Sequence, residues 1–111
     1  WSNQFEWAVH YPLAMKAGVA QATLDAIAQG ARPATMADDE ARVHDFLAEL
    51  LATRGVCDAT YARANELLGE QGVIDLVGLA GYFAALCMVM NVARTPPPHC
   101  WTSSLAIRST E

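Results

Sequence analysis

Glu6 and His10 are the two residues of this chain whose types and spacing point most directly to chemistry. They stand four positions apart in a stretch where Phe5, Val9 and Leu13 follow the spacing of a helix. Residues four apart lie on one face of a helix, so the carboxylate and the imidazole are within reach of each other. A carboxylate stabilises the charged form of a neighbouring imidazole, and such a pair can donate or accept protons. We therefore predict a proton-transfer pair at these two positions.

Two neighbours extend the same strip of the predicted helix. Asn3 lies about one turn before Glu6, and Trp7 lies beside it. The sequence therefore places an amide and an indole next to the acid/base pair. The spacing also fits a second interpretation, in which Glu6 and His10 stabilise the helix by roughly a few tenths of a kcal/mol and perform no chemistry.

The remaining residues that could ligate a metal or attack a substrate form no second site in the sequence. Neither His44 nor His99 stands at a recognised metal-ligand spacing from His10, and the cysteines do not either. We predict no metal and no cofactor, because the chain also lacks a nucleotide or phosphate-binding fingerprint. Cys87 lies in an apolar stretch, where a thiol behaves as a small hydrophobe. Cys57 precedes an aspartate, which disfavours a thiolate.

Composition limits the class of protein and the kinds of partner. The chain has 111 residues, a net charge of -5 and no basic cluster, which fits one domain that binds neither nucleic acid nor an anionic membrane. Hydrophobic residues make up 53% of it, so we expect part of its surface to be covered by further copies of the chain. Its 3 cysteines form no Cys-x-x-Cys motif, and we predict a cytoplasmic protein.

Apolar residues recur at helical spacing through almost the whole sequence, and no stretch alternates as a strand does. The sequence predicts an all-α fold of about five helices. Thr35 and Asp58 are the predicted N-caps of the third and fourth helices, and Pro12 predicts a bend in the first. The predicted ranges in chain order are 2–17, 21–29, 35–53, 58–68 and 73–94, with ends marked by Gly18, Gly30, Gly55 and Gly69.

The fifth predicted helix contains the most apolar segment, since residues 76–93 carry no formal charge. Three interpretations fit this segment: a helix buried in the core or between subunits, a membrane span, or two shorter helices. Gly78, Gly81 and Asn91 suit close helix packing, and no basic cluster flanks the segment, so we favour the first. The tail, residues 99–111, shows no clear periodicity and is predicted to be irregular.

Several motifs, taken in their order and spacing, resemble the carboxymuconolactone decarboxylase family, whose all-α fold is shared with alkylhydroperoxidase D. The resemblance covers residues 1–98 as one domain. Family members carry a further helical segment before the first motif, so we expect part of the core and pocket to be missing from a chain that begins at Trp1. The motifs are Phe5-Glu6-Trp7-Ala8-Val9-His10 with Ala14 and Gly18, Val56-Cys57-Asp58-Ala59-Thr60-Tyr61, Gly69-Glu70-Gln71-Gly72-Val73-Ile74-Asp75-Leu76-Val77-Gly78, Gly81-Tyr82-Phe83 and Asn91.

The resemblance implies a cofactor-independent decarboxylase of a small carboxylated lactone. His10 would protonate the dienolate left by carbon dioxide, Glu6 would hold the imidazole, and Trp7 and Asn3 would contact the substrate. It also implies homo-oligomers, commonly trimers or hexamers. Peroxidase relatives carry Cys-x-x-Cys before the equivalent histidine, where this chain has Asn3 and Glu6, so a peroxidase activity is disfavoured. A non-catalytic oligomerisation module or a degenerate fragment is the other alternative.

Overall fold

The computed structural model of the protein describes residues 2–99. Within them lie four α-helices and no β-strand, so the predicted all-α class is confirmed. Of the predicted tail, residues 99–111, only His99 is among the described residues. The helices in chain order are α1 Gln4–Lys16, α2 Gln21–Ala28, α3 Asp38–Thr53 and α4 Asp58–Ala93.

α4 combines the fourth and fifth predicted helices, which meet at a sharp break. The break lies at Gly69, whose φ of 70° and ψ of 170° are not helical. Only glycine adopts this backbone conformation readily, since a side chain would clash there. Glycine is also favoured at position 72, because a Cβ there would lie 2.7 Å from the Cβ of Leu68. The predicted end at Gly69 is therefore a change of direction within one element.

Two predicted helix starts differ from the structure. α3 begins at Asp38, with Ala37 as its N-cap, so the prediction of Thr35 as the cap is wrong. Alanine has no capping oxygen, and the backbone N–H of Ala37 instead donates to Oε2 of Glu40 at 3.1 Å. Asp58 is the first residue of α4 rather than its cap, because the carbonyl of Cys57 accepts the first helical hydrogen bond, from Tyr61, at 2.9 Å.

The first helix matches its prediction within two residues at each end. Pro12 lies inside α1, and the helix continues past it to Lys16. Gly18 follows the helix with a φ of 97°, and Gly30 follows α2 with a φ of 73°. Both glycines therefore end helices as predicted.

The chain forms two compact units. Among the described residues, the terminal unit contains residues 2–35 and 84–99, and the central unit is Met36–Phe83. The centre of the central unit is formed by Phe46, Ala64 and Val73, which are 1–3% exposed. Leu47, Leu50, Val56 and Leu76 pack against them.

An ion-pair network also joins α3 to α4 within the central unit. The guanidinium of Arg42 lies 2.7 Å from the carboxylate of Asp38 and 2.6 Å from that of Glu66. These hydrogen bonds raise the pKa of Arg42. The network is partly exposed, so it orients the two helices more than it stabilises them.

The apolar segment of α4 is largely exposed in this chain. Only 11% of its most apolar 18-residue window is buried. By length and composition, α4 could cross a membrane, and it is the one helix of residues 2–99 that meets this criterion. The prediction of a helix buried in the core of the chain is therefore wrong for this segment, whereas coverage by a second subunit remains a prediction. The most exposed apolar side chains on it are Ile74, Leu79, Tyr82, Val89 and Val92.

Candidate functional site

The first turn of α1 fixes the position of Glu6. Asn3 is the N-cap of α1, and its side-chain Oδ1 accepts a hydrogen bond from the backbone N–H of Glu6 at 2.9 Å. Its Nδ2 donates to Oδ1 of Asn91 on α4 at 2.8 Å. Asn3 is buried, and both ends of its amide are engaged in contacts within the protein. A substrate contact by Asn3 would have to compete with these bonds.

Glu6 and His10 lie together, as their spacing predicts. Nδ1 of His10 is 3.1 Å from Oε2 of Glu6, which satisfies the distance of an ion pair. The same Nδ1 is 2.9 Å from the backbone carbonyl oxygen of Glu6, and this contact has the geometry of a hydrogen bond. Oε2 of Glu6 makes no hydrogen bond of good geometry. The backbone carbonyl therefore holds the ring, and the carboxylate lies beside it.

The two members of the pair differ in exposure. The side chain of Glu6 is 16% exposed, and that of His10 is 46% exposed. A charge held away from water acts more strongly on its neighbour than a solvated one does. The arrangement thus places a mostly buried carboxylate behind an imidazole that solvent or a small molecule can reach.

Trp7 stands beside Glu6 and packs on the next turn of the helix. Its ring meets that of Tyr11 edge to face, with centroids 5.6 Å apart. Tyr11 is buried, and its hydroxyl donates a long hydrogen bond of 3.4 Å to Oδ1 of Asp25 on α2. Burial raises the pKa of Tyr11, and the charge of Asp25 raises it further. The indole is therefore held against a ring that connects α1 to α2.

Cys87 on α4 belongs to the surroundings of Glu6. Its thiol is buried and free, and burial raises its pKa. The negative charge of Glu6 raises that pKa further. A thiol that resists ionisation is a poor nucleophile, as the sequence predicts for this residue.

A second polar cluster lies at the start of α4, in the central unit. The carboxylate of Glu49 accepts a hydrogen bond from the hydroxyl of Thr60 at 2.5 Å and another from the backbone N–H of Cys57 at 2.6 Å. These two bonds lower the pKa of Glu49. The thiol of Cys57 is exposed, and its Sγ lies 3.4 Å from Oγ1 of Thr60. Glu49 therefore caps α4 from a neighbouring helix.

His44, one of the two other histidines considered as ligands, lies in an ion-pair cluster with residues of α3 and α4. Nδ1 of His44 is 3.4 Å from Oδ1 of Asp45, and Nη1 of Arg63 is 3.5 Å from the other oxygen of that carboxylate. Across residues 2–99, no three side chains of His, Cys, Asp or Glu are grouped as metal ligands would be.

Three of these contacts were not predicted from the sequence. Tyr11 follows Trp7 at the spacing of one helical turn, which was a usable local signal. The contact of Asn3 with Asn91 joins positions 88 apart, and local spacing contains no information about it. The role of Glu49 likewise depends on how two helices pack, which no motif encodes.

Comparison with known proteins adds no relative. The chain matches no protein-family model, no curated protein and no solved structure. The resemblance to carboxymuconolactone decarboxylases therefore depends on the motifs of the sequence alone.

Proposed function

We propose that the chain belongs to an acid/base enzyme that decarboxylates a small carboxylated lactone, or a related metabolite, without a cofactor. The observation that supports this most is the 3.1 Å contact between Nδ1 of His10 and the mostly buried carboxylate of Glu6. General acid/base catalysis can use such a pair, in which one member reaches the substrate and the other stabilises its charge. The motif resemblance supplies the reaction class.

The chemistry assigns a different task to each residue. When carbon dioxide leaves, the electron pair of the broken carbon–carbon bond delocalises into the lactone carbonyl as a dienolate. The His10 imidazolium donates a proton to a carbon of this dienolate and becomes neutral. Glu6 stabilises the imidazolium before the transfer, and solvent restores the proton afterwards. Bond breaking and proton transfer thus balance without a metal or a redox partner.

Trp7 and Asn3 complete the proposal as substrate-contacting residues. Trp7 presents a large apolar ring one position after Glu6, which suits a wall that keeps water from the dienolate. Asn3 is the less favoured of the two, since its amide already bonds to Glu6 and to Asn91.

The experiment that tests this function measures turnover of a carboxylated unsaturated lactone by two histidine variants. We expect His10→Gln to lower kcat by about 100-fold or more, because a general acid contributes factors of this size. The matched control is His44→Gln, which changes a histidine of the central unit and should leave turnover intact. Wild-type turnover by His10→Gln would contradict the proposed function. Circular dichroism of both variants confirms that the helices are retained.

A non-catalytic assembly module is the second candidate, and one observation favours it. Only 11% of the most apolar 18-residue window of α4 is buried, so a large apolar surface requires cover. The same surface is compatible with the enzyme, because homo-oligomers such as trimers or hexamers would cover it. We include homo-oligomerisation and a cytoplasmic location in the proposal. A peroxidase stays disfavoured, since no Cys-x-x-Cys precedes His10.

A further inference from the structure

Asn91 connects the end of α4 to the start of α1 through both ends of its side-chain amide. Its Oδ1 accepts a hydrogen bond from Nδ2 of Asn3 at 2.8 Å. Its Nδ2 donates a longer bond of 3.5 Å to the backbone carbonyl of Ser2. One amide therefore contacts the two residues that immediately precede α1.

Backbone groups at each end of this chain of bonds determine how both amides are oriented. The N–H of Glu6 can only donate, so Asn3 must present Oδ1 to it and Nδ2 to Asn91. The carbonyl of Ser2 can only accept, so Asn91 must present Nδ2 to it and Oδ1 to Asn3. A flip of either amide would place two donors or two acceptors against each other. Each asparagine thus keeps the other in the orientation that caps α1.

The hydrogen bonds that run from Asn91 through Asn3 end at Glu6, the acid of the candidate site. Asn3 holds the backbone N–H of Glu6, and the carbonyl of Glu6 in turn holds Nδ1 of His10. Cys87 lies one turn before Asn91 on α4, and the charge of Glu6 raises its pKa. The same face of α4 therefore meets the turn of α1 that carries Glu6.

We propose that Asn91 is a positioning residue for the Glu6–His10 pair, acting through Asn3. It fixes the first turn of α1 and thereby keeps the carboxylate of Glu6 beside the imidazole. The catalytic meaning of this role rests on the proposed function, whereas the positioning itself does not. A displacement of about 1 Å in a reacting group can lower a rate by about 100-fold. Loss of the position of Glu6 would therefore lower the rate of the proposed reaction.

The test measures how strongly the carboxylate of Glu6 affects the NMR signals of the His10 ring. In the wild-type background, Glu6→Gln changes the carbon–proton NMR signals of the His10 ring at neutral pH. With Asn91→Leu, we expect this change to fall to about half or less, because the carboxylate is no longer held beside the ring. Asn65→Leu is the matched control, since it alters an asparagine of α4 in the central unit. An undiminished response in Asn91→Leu would overturn the proposal.

Asn3→Ser separates positioning from helix capping. Serine is a good N-cap and keeps an acceptor for the N–H of Glu6, but it has no amide to donate to Asn91. We expect Asn3→Ser to reduce the His10 response as Asn91→Leu does, with the helix content unchanged. A response equal to wild type would assign Asn3 and Asn91 a capping role only, and it would overturn the proposal even where Asn91→Leu fails to fold.

Turnover distinguishes the failure of this inference from the failure of the proposed function. If both hold, Asn91→Leu lowers kcat by about 10-fold or more and changes KM little, as expected for a displaced catalytic pair, and Asn3→Ser also lowers kcat. If His10→Gln keeps full turnover while the NMR response is lost in Asn91→Leu, the proposed function fails and the positioning role stands.

Discussion

At the scale of residues, the surroundings of His10 decide which of its nitrogens can exchange a proton. Nδ1 faces two oxygens of Glu6, the backbone carbonyl at 2.9 Å and the carboxylate Oε2 at 3.1 Å. Both oxygens are acceptors, so Nδ1 carries the ring proton in the neutral and charged forms alike. In the proposed mechanism, Nε2 would be the nitrogen that exchanges a proton with the substrate. The proposed mechanism therefore requires the substrate to approach Nε2 of His10.

Glu49 gives a residue-scale prediction about pH. Hydrogen bonds from Thr60 and Cys57 lower its pKa in the folded protein, so its ionised form stabilises the start of α4. That contribution is present above the pKa of an unfolded glutamate, about 4.3, and is lost as pH falls through the lower folded value. We expect Glu49→Gln to lower the urea midpoint at about pH 6, and this difference to shrink at about pH 3.

A suitable control for this measurement is Glu70→Gln, which removes an exposed carboxylate from α4. It should change the urea midpoint little at either pH. A difference between wild type and Glu49→Gln that grows on acidification would contradict the assigned role of Glu49.

The site was predictable only where its contacts are local. The spacing of Glu6 and His10 along one helix predicts that they lie on the same face, because helical geometry converts sequence distance into spatial distance. The bond between Asn3 and Asn91 depends on the packing of α1 against α4, and it is invisible to any local pattern. The unequal burial of the pair also results from packing, so the exposed fraction of His10 could not be read from its neighbours in the sequence.

At the scale of elements, two glycines predicted helix ends correctly, whereas capping side chains did not predict helix starts. Gly18 and Gly30 end helices where the sequence predicts, since both adopt a positive φ. The start of α3 was misplaced because Thr35 is a better capping residue than Ala37 by type. The decisive contact is the carboxylate of Glu40, which reaches back to the N–H of Ala37.

The break in α4 gives a prediction about stability. Gly69 has a φ of 70° and a ψ of 170°, which other residues adopt only with strain. We expect Gly69→Ala to lower the free energy of unfolding by about 1–3 kcal/mol, the usual cost of such strain. Chemical denaturation followed by circular dichroism measures this change.

Gly78→Ala is the matched control within the same helix. Gly78 is helical and a Cβ there meets nothing within 4 Å, so alanine should stabilise the chain by about 0.5–1 kcal/mol. Equal effects of Gly69→Ala and Gly78→Ala on stability would show that the break in α4 is not strained.

At the scale of the whole molecule, the exposed apolar segment of α4 is the feature that a single chain does not explain. Tyr82 is 60% exposed and Val89 is 65% exposed, and both lie in the segment that carries no formal charge. Gly81 leaves open space beside the helix. Mid-helix glycines cost stability, so their presence here suits the close approach of another helix. A second copy of the chain is the partner that the proposal names.

Self-association can be tested with a charge on this segment. We expect light scattering to give the wild-type chain a mass above that of the monomer, and Tyr82→Glu to lower it, because association would bury the added charge. Tyr61→Glu is the control, since Tyr61 is also exposed but lies outside the uncharged segment. A monomeric wild type, or recovery of the chain with lipid vesicles instead of as an oligomer, would contradict the proposed assembly.

We propose above all that Glu6 and His10 act as one catalytic unit. Turnover of the lactone by three variants tests this directly. These are His10→Gln, Glu6→Gln and the double variant. Because residues that act together lose activity non-additively, we expect the double variant to be about as slow as His10→Gln alone. Losses that multiply, or single variants that turn over as fast as the wild type, would contradict the account.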